Sequence, residues 1–193
     1  MSTDPRADKI SEVALKVGAR PSLLDAVINF ETAGTYDPLI KNPRSDTTAV
    51  GLIQINDPTA RDLFGMSAGE LVRKYPDFNS QMDNVVLPYL QQRKKVYNGG
   101  APLFSKNDLY MSIFYPGYMN KDPDTPFPDS VQKVNPGIKT PADYARFVDE
   151  RIKQASLLVL KPLPMIIVGG TIIVGLTMWY ASRRKRSRRL ARS

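Results

Sequence analysis

The stretch Asn29 to Gly65 reads NFETAGTYDPLIKNPRSDTTAVGLIQINDPTARDLFG. Glu31 closes an apolar run, Leu23, Leu24, Val27, Ile28 and Phe30, whose spacing of three and four residues marks one face of a helix. A loop rich in Asn, Pro, Ser, Asp and Thr runs from Thr35 to Thr48 and leads into the short apolar segment Gly51-Leu52-Ile53-Gln54-Ile55. Asp57-Pro58 then opens another helix, because proline suits a first turn whose N–H groups lack partners. A lone carboxyl group at a helix end facing a polar cleft suits general acid work on a sugar.

Working outward, the same periodicity predicts a mainly α domain over residues 1–160. Ala7, Ile10, Val13, Ala14 and Val17 form a helical stripe that Gly18 can cap. Arg20-Pro21-Ser22 opens the helix that ends at Glu31. Ser67 to Lys74 reads as a short helix with a capping box, Ser67 at the N-cap and Glu70 at the third position. Asp77 to Tyr97 reads as one long helix through Met82, Val85, Val86, Leu90 and Val96, despite Pro88, and Asn98-Gly99-Gly100 stops it. Asp108 to Tyr115 is a short apolar helix ended by Pro116-Gly117, residues 118–138 read as a Pro-rich loop, and Thr140 to Asp143 caps a last helix reaching about Leu160. No segment alternates cleanly enough to be a strand, and no repeat is present.

The chain has 193 residues and a net charge of +8, but the excess is local. Residues 1–160 hold 19 basic and 19 acidic side chains, so the domain is neutral and is not a basic nucleic-acid binder. Cysteine and histidine are absent, which excludes disulfides, thiolate and imidazole metal sites, and Cys- or His-dependent nucleophilic catalysis. Carboxylates, hydroxyls and amides remain for chemistry, and no cofactor or metal is expected. Asp122, Asp124 and Asp129 lack the spacing of a calcium loop and read as solvated turn residues. The N-terminal residues MSTDPRADKISEV have neither a basic n-region nor an apolar h-region, so no secretory signal is expected there.

Pro162 to Ser182 carries no charge, and its core from Leu163 to Ala181 is 19 residues long. At about 1.5 Å per residue, such a helix spans the roughly 30 Å hydrocarbon layer of a bilayer, so a single transmembrane helix over residues 161–182 is expected. Trp179 and Tyr180 fall where an aromatic belt sits, and Thr171 with Gly175 gives small-xxx-small spacing for packing against other membrane proteins. The tail 183–193 follows, with seven Lys and Arg side chains between Ser182 and Arg192. It suits anionic lipid head groups or nucleic acid beneath a membrane, and it is a signal for the side of the membrane on which the chain is made.

The order Glu31-Thr32-Ala33-Gly34, then Gly51-Leu52-Ile53-Gln54-Ile55, then Pro58-Thr59-Ala60 resembles the soluble lytic transglycosylase family, the lysozyme-like enzymes that cleave peptidoglycan. The resemblance covers roughly residues 22–152. Family members carry E-S-G-G, then G-A-x-G-L-M-Q-I-x-P-x-T-A. Here Thr32-Ala33-Gly34 replaces S-G-G, and Ile53 stands where Met is frequent. The resemblance implies a goose-type lysozyme fold, Glu31 as catalytic acid/base, and Ser45 and Gln54 as substrate-binding residues. The family's later A-A-Y-N-A-G motif aligns with Ser112 to Gly117, which puts Phe114 at its Tyr and Tyr115 at its Asn. Phe114 and Tyr115 are therefore also candidate substrate contacts. The closing E-T-x-x-Y-V element is matched loosely by Ala142 to Val148.

The chemistry can be read beside the resemblance. A glycosidase normally needs two carboxylates flanking the scissile bond. The motif holds one, Glu31, with Asp37 and Asp46 as loop alternatives that more often form turns. One suffices if the substrate supplies the nucleophile. The N-acetyl group of muramic acid can stabilise the oxocarbenium-like centre, and the sugar's own 6-hydroxyl then attacks, leaving a 1,6-anhydro end. Glu31 must then be protonated near neutral pH, which apolar neighbours such as Phe30 would favour. Tyr36, Tyr110, Tyr115 and Tyr118 are candidates for stacking on sugar rings. The expectation is a membrane-anchored enzyme acting on glycan strands. Domain plus C-terminal anchor resembles the wall-penetrating transglycosylases of tailless, membrane-containing phages, and the expected location is a virion internal membrane, otherwise a bacterial inner membrane. A hydrolytic goose-type lysozyme, a non-catalytic wall-binding virion protein and a conjugation-type wall-remodelling enzyme are the alternatives.

Overall fold

The structure is a computed structural model that describes residues 5–43 and 47–160. It is mainly helical, as the periodicity predicts. Helix α1, Pro5–Val17, buries Ile10, Val13, Ala14 and Val17. Helix α2, Pro21–Glu31, begins on a proline and buries Leu23, Leu24, Val27 and Ile28. Helix α3 is Asp57–Phe64, N-capped by the Asn56 side chain, which accepts from Thr59 N–H. Helix α4 is Ala68–Lys74, and Ser67 with Glu70 forms the expected capping box in full.

The expected single helix from Asp77 to Tyr97 is divided. Helix α5, Phe78–Gln81, passes through a π-helical segment, Met82–Val86, into helix α6, Leu87–Tyr97. The Leu87 N–H reaches back five residues to the Met82 carbonyl. Pro88 has no N–H to donate, and the wider π turn just before it accommodates the break in the ladder. Helix α7 is Lys106–Phe114, capped by Ser105 and followed by a 3-10 turn at Pro116–Tyr118. The segment 118–138 is not wholly loop, because helix α8 occupies Asp129–Val134. Helix α9 is Pro141–Leu160.

Helix α1 packs on α2 and α6, and α2 packs on α7, so that α2 runs through the core. Leu24, Ile28, Leu52, Leu71, Met82, Leu90, Leu109 and Met111 fill its interior. No strand occurs among the described residues. Two isolated antiparallel bridges, Lys41 with Val50 and Val50 with Ile55, tie the loop after α2 into a small folded lobe.

That lobe is clamped by one buried amide. Gln81, 1% exposed, accepts from the Leu52 N–H at 3.2 Å and donates to the Pro38 carbonyl. Gly51 lies against it with φ +83°, and a Cβ there would fall 2.8 Å from Gln81 Oε1. Glycine is thus required at this position by both backbone conformation and space.

The expected membrane helix 161–182, the basic tail 183–193, and Arg44, Ser45 and Asp46 lie outside the described residues. Among the described residues, no helix is long and apolar enough to cross a membrane.

Candidate active site

Glu31 is the last residue of α2, and the turn behind it is knotted by Thr32. The buried Thr32 hydroxyl donates to the Ile28 carbonyl at 2.7 Å and accepts from the Tyr36 N–H at 3.1 Å. The Gly34 N–H reaches back to the Asn29 carbonyl at 2.7 Å, while Thr35 Oγ1 donates to the Thr32 carbonyl. Ala33, Gly34 and Tyr36 all have positive φ, at +52°, +79° and +55°. For Ala33 and Tyr36 this left-handed conformation costs about 1 kcal/mol or more each, and the Thr32 hydrogen bonds offset it.

Glu31 keeps part of its surface accessible, but its carboxyl is closely packed among protein atoms. Burial pushes its pKa up to about 7, and a hydrogen bond from Tyr144 partly opposes the rise. The Tyr144 hydroxyl donates to Glu31 Oε1 over a long 3.4 Å. Tyr144 comes from the second turn of α9 and is buried, and burial, then the Glu31 charge, hold its phenol well above its ordinary range.

The aromatic surround of Tyr144 is dense. Phe114 stacks on it face to face, with centroids 4.1 Å apart and planes 17° apart. Phe30 and Tyr110 meet it edge-on at 6.2 and 6.3 Å. Phe147 packs edge-on against Phe30 at 6.0 Å. Tyr89 on α6 also feels the Glu31 charge. Its hydroxyl donates to the Ser112 carbonyl at 2.8 Å, and burial is the main cause of its raised pKa. Edge-to-face and offset stacking of this kind adds about 0.5–1.5 kcal/mol per pair beyond area burial and favours these particular ring orientations.

Gln54 sits in a tight turn closed by the Val50–Ile55 bridge, not in a strand. Its φ is +49°, and its side-chain Nε2 donates to the Gly51 carbonyl at 3.1 Å and to the Ile40 carbonyl at 3.3 Å. The amide hydrogens therefore hold the lobe together, which leaves Oε1 as the group available to a ligand.

Phe114 is packed between Tyr144 and Phe127, so its position at the motif is structural for Tyr144. Tyr115 is the C-cap of α7 and lies against Tyr118 and Phe127 at 5.1 and 5.8 Å. Its hydroxyl makes no hydrogen bond among the described residues. The other tyrosines are engaged elsewhere: Tyr36 with Asp25, Tyr110 with Asp149 and Tyr118 with the Pro126 carbonyl. Asp37 accepts from the Leu39 N–H, a turn-forming role. Asp122 accepts from the Asp124 N–H, and the described residues contain no cluster of three metal-ligating side chains.

The structure thus brings together Glu31, Phe114 and Tyr144, with Tyr89 close by, while Tyr115 and Tyr118 lie on the far side of Phe114 against Phe127 and touch neither Glu31 nor Tyr144 through a ring or hydrogen-bond contact among the described residues. Tyr144 and Tyr89 were not among the residues singled out by sequence. Only the loosely matched segment Ala142 to Val148 contained a signal for Tyr144. Two concavities, of about 330 and 560 Å³, are lined by other residues and not by Glu31. Comparison with protein-family models, with curated proteins and with solved structures gives no match.

Proposed function

We propose that the domain is a lysozyme-like lytic transglycosylase that cleaves the MurNAc–GlcNAc bond of peptidoglycan and leaves 1,6-anhydromuramic ends. The observation that carries this reading is a single carboxyl group at a helix end, raised by burial to titrate at about 7 and touched by one phenol. Glu31 protonates the glycosidic oxygen as the bond to the muramic C1 breaks. The N-acetyl oxygen of muramic acid supports the electron-deficient carbon. The resulting Glu31 carboxylate then takes the proton of the 6-hydroxyl as that oxygen closes on C1. Proton count is restored, and no water is consumed.

A pKa near the working pH suits a group that must give and then recover a proton. Tyr144 can donate to the carboxylate form, which stabilises Glu31 between the two steps. With a span at 161–182 and a basic tail, the enzyme would sit anchored in a membrane, and a virion membrane that meets the wall on infection fits the arrangement. The alternatives separate by product. Sacculi incubated with the protein should release muropeptides ending in 1,6-anhydromuramic acid, read by mass spectrometry. Reducing ends would make it a lysozyme, and intact sacculi would leave a wall-binding protein.

A further inference from the structure

The cavity of about 560 Å³ lies beside the Gln54 lobe and is lined by residues of that lobe, Asp57 and α4. Two cations from separate elements line it, Lys41 from the loop after α2 and Arg73 from the last turn of α4. Neither has an ion-pair partner among the described residues. Two acids beside the cavity, Asp57 and Glu70, hold other partners, although Glu70 also feels the Arg73 charge. Asp57 Oδ1 accepts from the Ala68 N–H at 2.8 Å, and its Oδ2 lies 3.6 Å from Arg61. Glu70, one turn before Arg73, accepts from the Ser67 N–H and hydroxyl at 2.8 and 2.6 Å.

The rest of the lining is mixed. Val50, Val72 and Leu39 give apolar surface, while Asn42 and Thr47 give hydrogen-bonding groups. A concave site with two cations that form no ion pair among the described residues, and with apolar walls, suits a short peptide that carries carboxylates and small alkyl side chains. A neutral sugar can accept hydrogen bonds from a guanidinium and an ammonium but brings no charge to balance theirs, which carboxylates do.

The cavity is mechanically joined to the turn that carries Gln54. Lys41 is bridged to Val50, and Val50 to Ile55, the residue after Gln54. The Ile40 carbonyl, next to Lys41, accepts from Gln54 Nε2. A ligand held by Lys41 therefore braces the turn that presents Gln54.

We propose that this cavity is a subsite for the stem peptide of the glycan strand, with Lys41 and Arg73 taking its carboxylates. The inference rests on the peptidoglycan reading and deepens it, because it makes the substrate a peptide-bearing strand. The full chain in detergent, carrying Glu31→Gln so that nothing turns over, is titrated calorimetrically with two glycans of equal length, one with its tetrapeptide stems and one with the stems removed. The peptide-bearing glycan should bind about 10-fold more tightly, the scale of one charge-assisted contact. That preference should shrink as salt rises. Lys41→Gln with Arg73→Gln, and separately Arg73→Glu, should bring the preference below about 2-fold and leave affinity for the bare glycan unchanged. Measurable but equal binding of both glycans would overturn the subsite and leave the glycan reading intact. Binding of neither glycan would overturn both. A preference that survives both variants would place stem recognition elsewhere.

Discussion

The Tyr144 hydroxyl stands 3.4 Å from Glu31 Oε1 across 113 residues of sequence, and joins the end of α2 to the start of α9. The phenol lowers the Glu31 pKa while burial raises it, so the carboxyl titrates near neutrality and not above it. Tyr144→Phe removes the donor and keeps the ring that stacks on Phe114. The Glu31 pKa should then rise above about 7, read directly by carbon NMR of labelled glutamate. The alkaline limb of the pH–rate profile should move the same way. An unchanged titration would show that the long contact carries no energy.

Glu31→Gln should reduce glycan cleavage about 100-fold or more, the scale of general acid–base terms. It should also change stability with a definite sign. The unfolded carboxyl ionises near 4.5 and the folded one near 7, so between those values the native state holds a proton that the unfolded state has lost. Wild-type stability therefore falls as pH rises through that window and levels off above it, by about 3 kcal/mol in all. The Gln variant has no such titration. The two proteins should melt alike at pH 4, and the variant should melt higher at pH 8. Parallel melting curves at both pH values would show that Glu31 is not held in its neutral form.

Gln81→Leu removes the clamp on the Gln54 lobe. The Leu52 N–H and the Pro38 carbonyl each lose a partner, and Leu52 is buried. The expected cost is about 2–3 kcal/mol, measured by chemical denaturation. Hydrogen exchange at Leu52 and Gly51 should quicken more than exchange in α7. A loss spread evenly over the domain would mean that Gln81 supports the core at large and not the lobe.

Phe114→Ala should destabilise the domain by about 3 kcal/mol, because it opens a hole against Tyr144 and Phe127. It should also loosen Tyr144 and thereby shift the Glu31 titration. Tyr115→Phe should leave stability within about 0.5 kcal/mol, since its hydroxyl has no hydrogen-bond partner among the described residues. If Tyr115→Phe nevertheless abolishes cleavage while the fold is intact, Tyr115 meets the substrate.

Local pattern alone determined most of the helices and the placement of Glu31. The apolar spacing over Leu23 to Phe30, the Ser67–Glu70 capping box and the proline at the start of α2 are short-range signals that depend on neighbours within four residues. The same signals blurred where the backbone departed from regular geometry. The π segment before Pro88 keeps helical side-chain spacing and so looked like plain helix, and α8 is too short and too polar to show a stripe. Gln54 read as part of an apolar segment, but its positive φ belongs to the turn that the Val50–Ile55 bridge closes and that Gln81, 29 residues from Leu52, holds through the Leu52 N–H. Only the tertiary structure put Tyr144 against Glu31 and Phe114 against Tyr144. A pKa near 7 at Glu31 arises from burial under side chains of α9 and its neighbours, and desolvation depends on what surrounds a group in space, which no run of adjacent residues encodes.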